Sequence, residues 1–221
     1  MLIIKIPLAR VTLVVGSGAS GATCVSHLAQ LARQVGGVSL IWVTRRAQGR
    51  PPYTLIEGDP LPGREALYTL ANRLAGGEES SGLDGLRYFG ESGVTSLQRS
   101  GDGRLSVRLA SLHTGQEEEL TGVDTVIAAV GYRPDTSITR ELQVHYCYAT
   151  EGPIKLAASL LAAGGAGGDC LAQLAPADQT LLSPEPGLFI LGMKSCGRAS
   201  AFLLRLGHQQ VEAVIRTIQQ Y

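Results

Sequence analysis

Val11-Thr-Leu-Val-Val-Gly-Ser-Gly-Ala-Ser-Gly21 is the stretch of sequence that decides the fold of this chain. Its opening residues form an apolar run, which is typical of a strand buried on both faces of a parallel sheet. Gly16, Gly18 and Gly21 then have the spacing of the turn that binds a dinucleotide pyrophosphate. In such a turn the first glycine turns the chain off the strand, the second lets the backbone approach the pyrophosphate, and the third packs helix against strand. The stretch therefore predicts a strand, a nucleotide-binding turn and a helix.

The residues that follow complete a βαβ unit. Apolar residues between Val25 and Ala32 recur at the spacing of one helix face, Gly36-Gly37 is a stop signal, and Val38–Val43 predicts the next strand. Incidental glycines in a plain α/β turn are the alternative in a chain with 28 glycines, but the flanking strand and helix favour the nucleotide-binding turn. The helix N-terminus then points its free N–H groups at the phosphates. We expect the following residues to contact the nucleotide: Gly16, Ser17, Gly18, Ala19, Ser20 and Gly21.

The end of the second strand indicates which dinucleotide is bound. An NAD site usually has an acidic residue there, which accepts hydrogen bonds from the ribose 2′-hydroxyl. This chain has Thr44, Arg45 and Arg46, followed by Arg50, and no carboxylate occurs from the start of that strand to Glu57. Guanidinium groups bind phosphate oxygens in bidentate fashion, whereas an acid would repel a 2′-phosphate. These residues predict an NADP(H) site, and a solvated basic loop without a ligand is the alternative.

Composition narrows the class of protein. A chain of 221 residues can form one large domain or two small ones. Its formal net charge of zero argues against a nucleic-acid partner and against electrostatic membrane binding. No apolar run approaches the roughly 18 residues of a membrane span, and the opening residues lack the layout of a signal peptide. The 4 cysteines are far apart, without metal-ligand spacing, so we expect no metal site and a cytoplasmic protein with reduced thiols.

Downstream of a short amphipathic helix at 67–74, the apolar period changes to that of strands. Candidate strands are 86–89, 94–99, 105–112 and 117–120, and Gly101-Asp-Gly103 is a hairpin turn. We expect these strands to form a β-meander. Since a meander of this size is too small to bury a core alone, we expect it on one edge or face of the parallel sheet.

Two later strands are predicted to end in glycine. Asp124-Thr-Val-Ile-Ala-Ala-Val-Gly131 leads into Tyr132, and Leu188-Phe-Ile-Leu-Gly192 leads into a loop that holds Arg198. Glycine at the carboxyl end of a strand leaves room for a ligand in the crevice of an open α/β sheet. A helix at about 155–163 and a glycine-rich loop at 164–168 separate the two strands. The last helix is predicted to have one apolar face, made of Leu204, Val211, Val214, Ile215 and Ile218.

With these segments in this order, the chain resembles the two-dinucleotide flavoproteins: flavin-containing monooxygenases, N-hydroxylating monooxygenases and thioredoxin-reductase-like oxidoreductases. The glycine turn with Thr44-Arg45-Arg46 is similar to their NADPH motif. The segment 124–132 is similar to their Asp-x-x-x-Leu-Ala-Thr-Gly-Tyr strand, with Ala128 and Val130 in place of the usual Leu and Thr. The segment 187–192 looks like their late strand, whose final glycine lies against the flavin pyrophosphate, but Met193 stands where they commonly have Asp.

The resemblance implies an α/β fold in which a Rossmann-like parallel sheet with a β-meander is followed by a partial second α/β nucleotide-binding domain. We expect residues 1–130 to form the NADP(H)-binding domain and 131–221 to resemble the closing half of an FAD-binding domain. Arg198, beside a glycine at a helix start, is a candidate phosphate ligand or an ordinary surface arginine. The cofactor contacts expected from these segments are Val130, Gly131, Tyr132, Gly192 and Arg198.

In these flavoproteins the NADPH domain is inserted into the FAD domain, so the resemblance implies that the first half of the FAD domain lies outside this sequence. The implied activity is that of an NADPH-dependent flavoprotein oxidoreductase or monooxygenase, in which NADPH reduces FAD and the flavin reacts with oxygen or another acceptor. FAD binding is then expected only if a partner chain, a homodimer mate or the missing half completes the pocket. A non-catalytic NADP(H)-binding module without flavin is the alternative. No spacing of residues identifies a catalytic group.

Overall fold

The computed structural model describes residues 10–47, 49–78, 85–163, 177–199 and 202–220. The glycine-rich loop predicted at 164–168 lies outside the described residues. The chain divides into two compact units, Met1–Val130 and Gly131–Tyr221. Among the described residues, no helix combines the length and the apolarity needed to cross a bilayer.

Unit 1 is built on a parallel sheet and a small antiparallel sheet. Its elements in chain order are β1 (Val11–Val15), α1 (Ala19–Val35), β2 (Ser39–Val43), α2 (Pro62–Ala75), β3 (Leu86–Phe89), β4 (Ser92–Arg99), β5 (Leu105–Ser111), β6 (Glu117–Val123) and β7 (Thr125–Ala128). The parallel strands stand in the order β3-β2-β1-β7, and β4, β5 and β6 form the antiparallel sheet. The predicted α/β fold with a parallel sheet and a meander is confirmed.

Successive residues of a strand point to opposite faces of a sheet. In the parallel sheet, the residues on both faces are buried. On one face, Val14 and Trp42 pack with α1 and α2 in a core that includes Val25 and Leu74. On the other face, Leu13 packs with Ile41 against apolar residues of β5 and β6. The antiparallel sheet therefore covers a face of the parallel sheet, which explains why β1 and β2 are apolar along most of their length.

The strand at 86–89 belongs to a different sheet from the one expected. The prediction that this strand belongs to the meander was wrong, because β3 pairs in parallel with β2, from Leu40↔Leu86 to Val43↔Phe89. Leu86 packs on the helix side of the sheet and Phe89 on the other side. A strand with apolar contacts on both faces fits the edge of the parallel sheet better than a meander with one solvated face.

The regular elements in the described part of unit 2 are all helical. Its elements are the 3₁₀ turns Ser137–Thr139, Asp178–Leu181 and Gly192–Cys196 and the helices α3 (Ile154–Ala162) and α4 (Leu204–Ile218). A small core joins α3 to α4 and contains Leu156, Leu181, Ala213 and Val214. The segment 188–191 was expected to be a strand, but no strand occurs in the described part of unit 2. Phe189 and Leu191 pack against the helical core instead, and no neighbouring strand there offers this backbone a ladder.

Helix α4 is rotated relative to its predicted apolar face. Of the five apolar residues predicted to share that face, only Val214 is buried, whereas Leu204 is 76% exposed. The buried face holds the polar residue Gln210, which is fully enclosed. Its side-chain oxygen accepts a hydrogen bond from the Gly192 N–H at 2.7 Å, and its side-chain nitrogen donates to the Ser195 hydroxyl at 2.7 Å. These paired hydrogen bonds explain why a polar residue occupies the inner face of the helix.

Candidate functional site

The glycine turn and the arginine-rich segment leave the parallel sheet at the same edge. Strands β1 and β2 are parallel and in register, with Val15 opposite Val43. The chain that follows each strand therefore emerges beside the other. A hydrogen bond of 2.9 Å from the Gly16 N–H to the Val43 carbonyl joins the start of the turn to the end of β2.

Each glycine of the turn has a different environment. Gly16 has a φ of +133°, and a Cβ there would collide with the carbonyl oxygen of Ala129, just beyond β7. A Cβ on Gly21 would collide with the Gly16 carbonyl oxygen, so this glycine allows α1 to approach the turn. At Gly18, by contrast, a Cβ would meet none of the described atoms within 4 Å. The open glycine is the one whose backbone a ligand can approach.

Helix α1 begins directly after this turn. Gly18 is its N-cap residue and provides no side-chain hydrogen bond to the helix. The N–H groups of the first helical turn have no intrahelical partner, and they carry the positive end of the helix dipole. No acidic residue lies in that first turn. The arrangement therefore favours an anionic group in front of Gly18.

The segment after β2 presents guanidinium groups to solvent. Arg45, Arg46 and Arg50 are all exposed. None of the ion pairs within the described ranges involves any of these three residues. Guanidinium groups that are exposed and not held in an ion pair are suited to bind a phosphate group.

Thr44, at the base of this segment, is buried, and its hydroxyl, N–H and carbonyl groups each make a hydrogen bond. Its hydroxyl shares a hydrogen bond of 2.8 Å with the Tyr88 hydroxyl. Its N–H donates to the Phe89 carbonyl at 2.8 Å, and its carbonyl accepts from the Ser92 N–H at 3.0 Å. Thr44 therefore anchors the segment to β3, and its side chain is occupied by the protein.

An aromatic layer lies beneath the turn, and sequence reasoning did not find it. The indole N–H of Trp42 donates to the Gly16 carbonyl at 3.0 Å, and the Tyr53 hydroxyl donates to the Gly18 carbonyl at 3.2 Å. Tyr68 stacks on Tyr53 with ring centroids 4.4 Å apart. Burial raises the pKa of Tyr53, so its hydroxyl stays protonated and able to donate. The available signal was Trp42 itself, because a buried indole N–H needs an acceptor.

The remaining expected site residues lie at the end of unit 1 and in unit 2. Val130 closes unit 1 and is 64% exposed, whereas Gly131 and Tyr132 begin unit 2 and are exposed. The Gly192 N–H is taken by Gln210. Arg198 lies 3.8 Å from the carboxylate of Glu151 in an ion pair. Arg133 also binds that carboxylate, and its hydrogen bonds hold the pKa of Glu151 below its ordinary value. No group of three or more metal-ligating side chains occurs within the described ranges.

Comparisons with known proteins identify the fold. No family model and no curated protein matches the sequence. An L-lysine 6-monooxygenase from Pseudomonas syringae matches with a TM-score of 0.60 and 13% identity, over 98% of this chain and 55% of that chain. An ornithine N-hydroxylase from Kutzneria sp. 744, in a structure with reduced FAD, NADP+ and L-ornithine, matches with a TM-score of 0.59 and 16% identity, over 96% of this chain and 54% of that chain. A thioredoxin reductase from T. acidophilum matches with a TM-score of 0.53 and 14% identity, over 94% of this chain and 52% of that chain.

These matches confirm the resemblance at the level of fold. Nearly all of this chain superimposes on flavoprotein oxidoreductases and N-hydroxylating monooxygenases, and it spans about half of their length. The chain therefore has the fold of about half of each of these proteins.

Proposed function

We propose that unit 1 binds NADP(H) and is the NADPH-binding part of a flavin-dependent oxidoreductase. The observation that carries this proposal is the pairing, at one sheet edge, of an open glycine turn with three arginines that lack ionic partners within the described residues. The turn fits the shared pyrophosphate of all pyridine dinucleotides, whereas the arginines fit the 2′-phosphate that only NADP(H) carries. The solved neighbours with the same fold support it, since one was determined with NADP+.

The proposed roles follow from the position of each group. The N–H groups after Gly16 and Gly18 bind the pyrophosphate, and Ser20 and Gly21 add the start of the α1 dipole. Arg45 and Arg46 bind the 2′-phosphate, and Arg50 adds a third positive charge near that position. Thr44 holds the arginines in place through β3, and its side chain does not contact the nucleotide, because it is buried.

A flavin, when bound, would accept a hydride from NADPH and pass electrons to oxygen or another acceptor. In this proposal unit 2 contributes to its pocket through Gly131, Tyr132, Gly192 and Arg198. The Gly192 N–H is used within the protein, so the pyrophosphate of the flavin needs donors from elsewhere. We therefore propose that FAD binds only when further polypeptide, from a partner chain or a second copy, completes the pocket.

Cysteines that are far apart in the sequence and reduced fit a cytoplasmic location for the protein.

A second candidate function is that of an NADP(H)-binding module that uses no flavin. It is favoured by one observation: the described part of unit 2 contains no sheet, whereas ligands of open α/β folds bind at the carboxyl ends of sheet strands. Unit 1 would then bind its nucleotide without transferring a hydride.

Two measurements on the purified chain test these proposals. Calorimetric titration with NADPH and NADH is expected to show tighter binding of NADPH, and equal affinities would contradict the NADP(H) assignment. Heat release of bound cofactor, after incubation of the chain with FAD alone and with FAD plus cell extract, followed by flavin fluorescence, separates the two candidate functions. Flavin recovered together with NADPH-dependent bleaching of its absorbance supports the oxidoreductase. NADPH binding without flavin, in the chain alone and with cell extract added, supports the module.

A further inference from the structure

Two aromatic side chains donate hydrogen bonds to carbonyl groups of the glycine turn. The carbonyl oxygen of Gly16 accepts a hydrogen bond from the Trp42 indole. That of Gly18 accepts from the Tyr53 hydroxyl and, at 3.1 Å, from the Ala22 N–H of α1. In a planar trans peptide, the C=O of one residue and the N–H of the next point in opposite directions. Fixing the two carbonyls toward the aromatic layer therefore turns the N–H groups of Ser17 and Ala19 away from it.

Those two N–H groups are available to a ligand. Neither Ser17 nor Ala19 donates a backbone hydrogen bond within the described part of the chain. Both residues flank Gly18, the one glycine of the turn with open space around it. Without the indole, the Gly16–Ser17 peptide plane could rotate, because glycine restricts its backbone least of all residues. Without the Tyr53 hydroxyl, the Gly18–Ala19 peptide would be held only by the helical hydrogen bond from the Ala22 N–H.

The donors themselves are rigidly held. Trp42 is fully buried in β2, and its ring packs against Tyr88 at 5.1 Å. Tyr53 is clamped by Asn72 of α2, whose side-chain oxygen accepts from the Tyr53 N–H at 2.9 Å and whose side-chain nitrogen donates to the Tyr53 carbonyl at 2.8 Å. A donor whose own position is fixed can hold a flexible turn in one orientation before the ligand arrives.

We propose that Trp42 and Tyr53 are positioning residues of the pyrophosphate site, which orient the Ser17 and Ala19 N–H groups without touching the nucleotide. This inference rests on the proposed nucleotide-binding function of the turn. In this proposal the site has two parts. The aromatic donors affect the binding of the pyrophosphate through the turn, and the arginines bind the 2′-phosphate.

The test uses ligands that each contain only one of these groups. ADP carries the pyrophosphate alone, adenosine 2′-monophosphate carries the 2′-phosphate alone, and NADPH carries both. Removal of one neutral hydrogen bond in Tyr53→Phe is expected to weaken ADP and NADPH about fivefold. Binding of adenosine 2′-monophosphate should stay within about twofold of wild type. Trp42→Phe should show the same pattern with a larger loss of stability, because it also removes buried volume.

Tyr68→Phe is the matched control, since it removes a hydroxyl from the ring stacked on Tyr53 and leaves both glycine carbonyls with their donors. It should leave all three affinities within about twofold of wild type. Equal weakening of ADP and adenosine 2′-monophosphate by Tyr53→Phe would show a general structural role and overturn the inference, as would unchanged ADP binding. If wild-type protein binds neither ADP nor NADPH, the proposed function fails and this inference fails with it.

Discussion

Removal of the Arg45 guanidinium is expected to weaken the binding of NADPH and to leave the binding of NADH almost unchanged. Arg45 follows β2, is exposed, and has no ion pair within the described residues. Its positive charge is therefore free to bind the 2′-phosphate. Arg45→Ala leaves the glycine turn and the α1 N-terminus intact, so the pyrophosphate site common to both nucleotides should be retained.

The size of the effect follows from the kind of bond that is lost. A hydrogen bond to a charged group is worth about 1.5–3 kcal/mol, which corresponds to roughly 10- to 150-fold in Kd. The site is exposed, and at physiological salt the Debye length is only about 8 Å, so screening reduces the gain. We therefore expect NADPH affinity to fall about tenfold, near the lower end of this range. NADH affinity should change by less than about twofold.

Calorimetric titration with each nucleotide, at low and at physiological salt, measures both effects. Arg99→Ala is the control, because it removes an equally exposed positive charge at the far end of β4, where the side chain donates to the Gly103 carbonyl. The reasoning is refuted if Arg99→Ala weakens NADPH as much as Arg45→Ala does, since the effect would then be one of net charge alone. It is also refuted if Arg45→Ala weakens NADH and NADPH equally.

Three further predictions concern stability and thiol reactivity. Gly18→Ala should leave the free energy of unfolding within about 0.5 kcal/mol of wild type, because its new methyl group meets no described atom, yet it should weaken the binding of NADPH. Gly21→Ala should lower the free energy of unfolding by about 1–3 kcal/mol, because its new methyl group collides with the backbone. Urea unfolding and titration of both variants check this pair. Ser26→Ala should stabilise α1 by about 1 kcal/mol in urea unfolding, since the buried hydroxyl has no hydrogen-bond partner within the described structure. Cys147 should be alkylated faster than Cys196 at neutral pH, as peptide mass spectrometry would show. Hydrogen bonds from Thr150 lower the pKa of the first thiol and burial raises that of the second.

The strand-turn-helix-strand of unit 1 was predictable because its signals are local. An apolar strand, a glycine triplet and a helical period each need only neighbouring residues to specify their conformation. The strand at 86–89 could be found in the same way, but its sheet could not. A pattern of four residues is too short to show whether a strand is buried on one face or on both. The pairing of Leu86 with Leu40 also joins residues that are far apart in sequence.

Helix α4 shows a limit of periodicity of a different kind. Its apolar residues define a face, and hydrophobicity alone would bury that face. The structure buries Gln210 instead, because its amide is paired at both ends within the 192–196 turn. A paired polar group no longer has the desolvation cost that keeps polar residues at surfaces. The position of α4 thus depends on contacts that its own sequence does not reveal.

The proposed site divides along the same line between local and distant signals. The residues that would select the nucleotide lie in short motifs, so their chemistry could be recognised from their order in the sequence. The residues that would orient the turn act from a distance: Trp42 reaches back 26 positions to Gly16, and Tyr53 reaches back 35 positions to Gly18. No spacing rule encodes such pairs, since the fold alone brings the donor to the carbonyl. A glycine triplet therefore indicates where a phosphate can approach, and in our proposal the aromatic layer beneath it orients the N–H groups toward that phosphate.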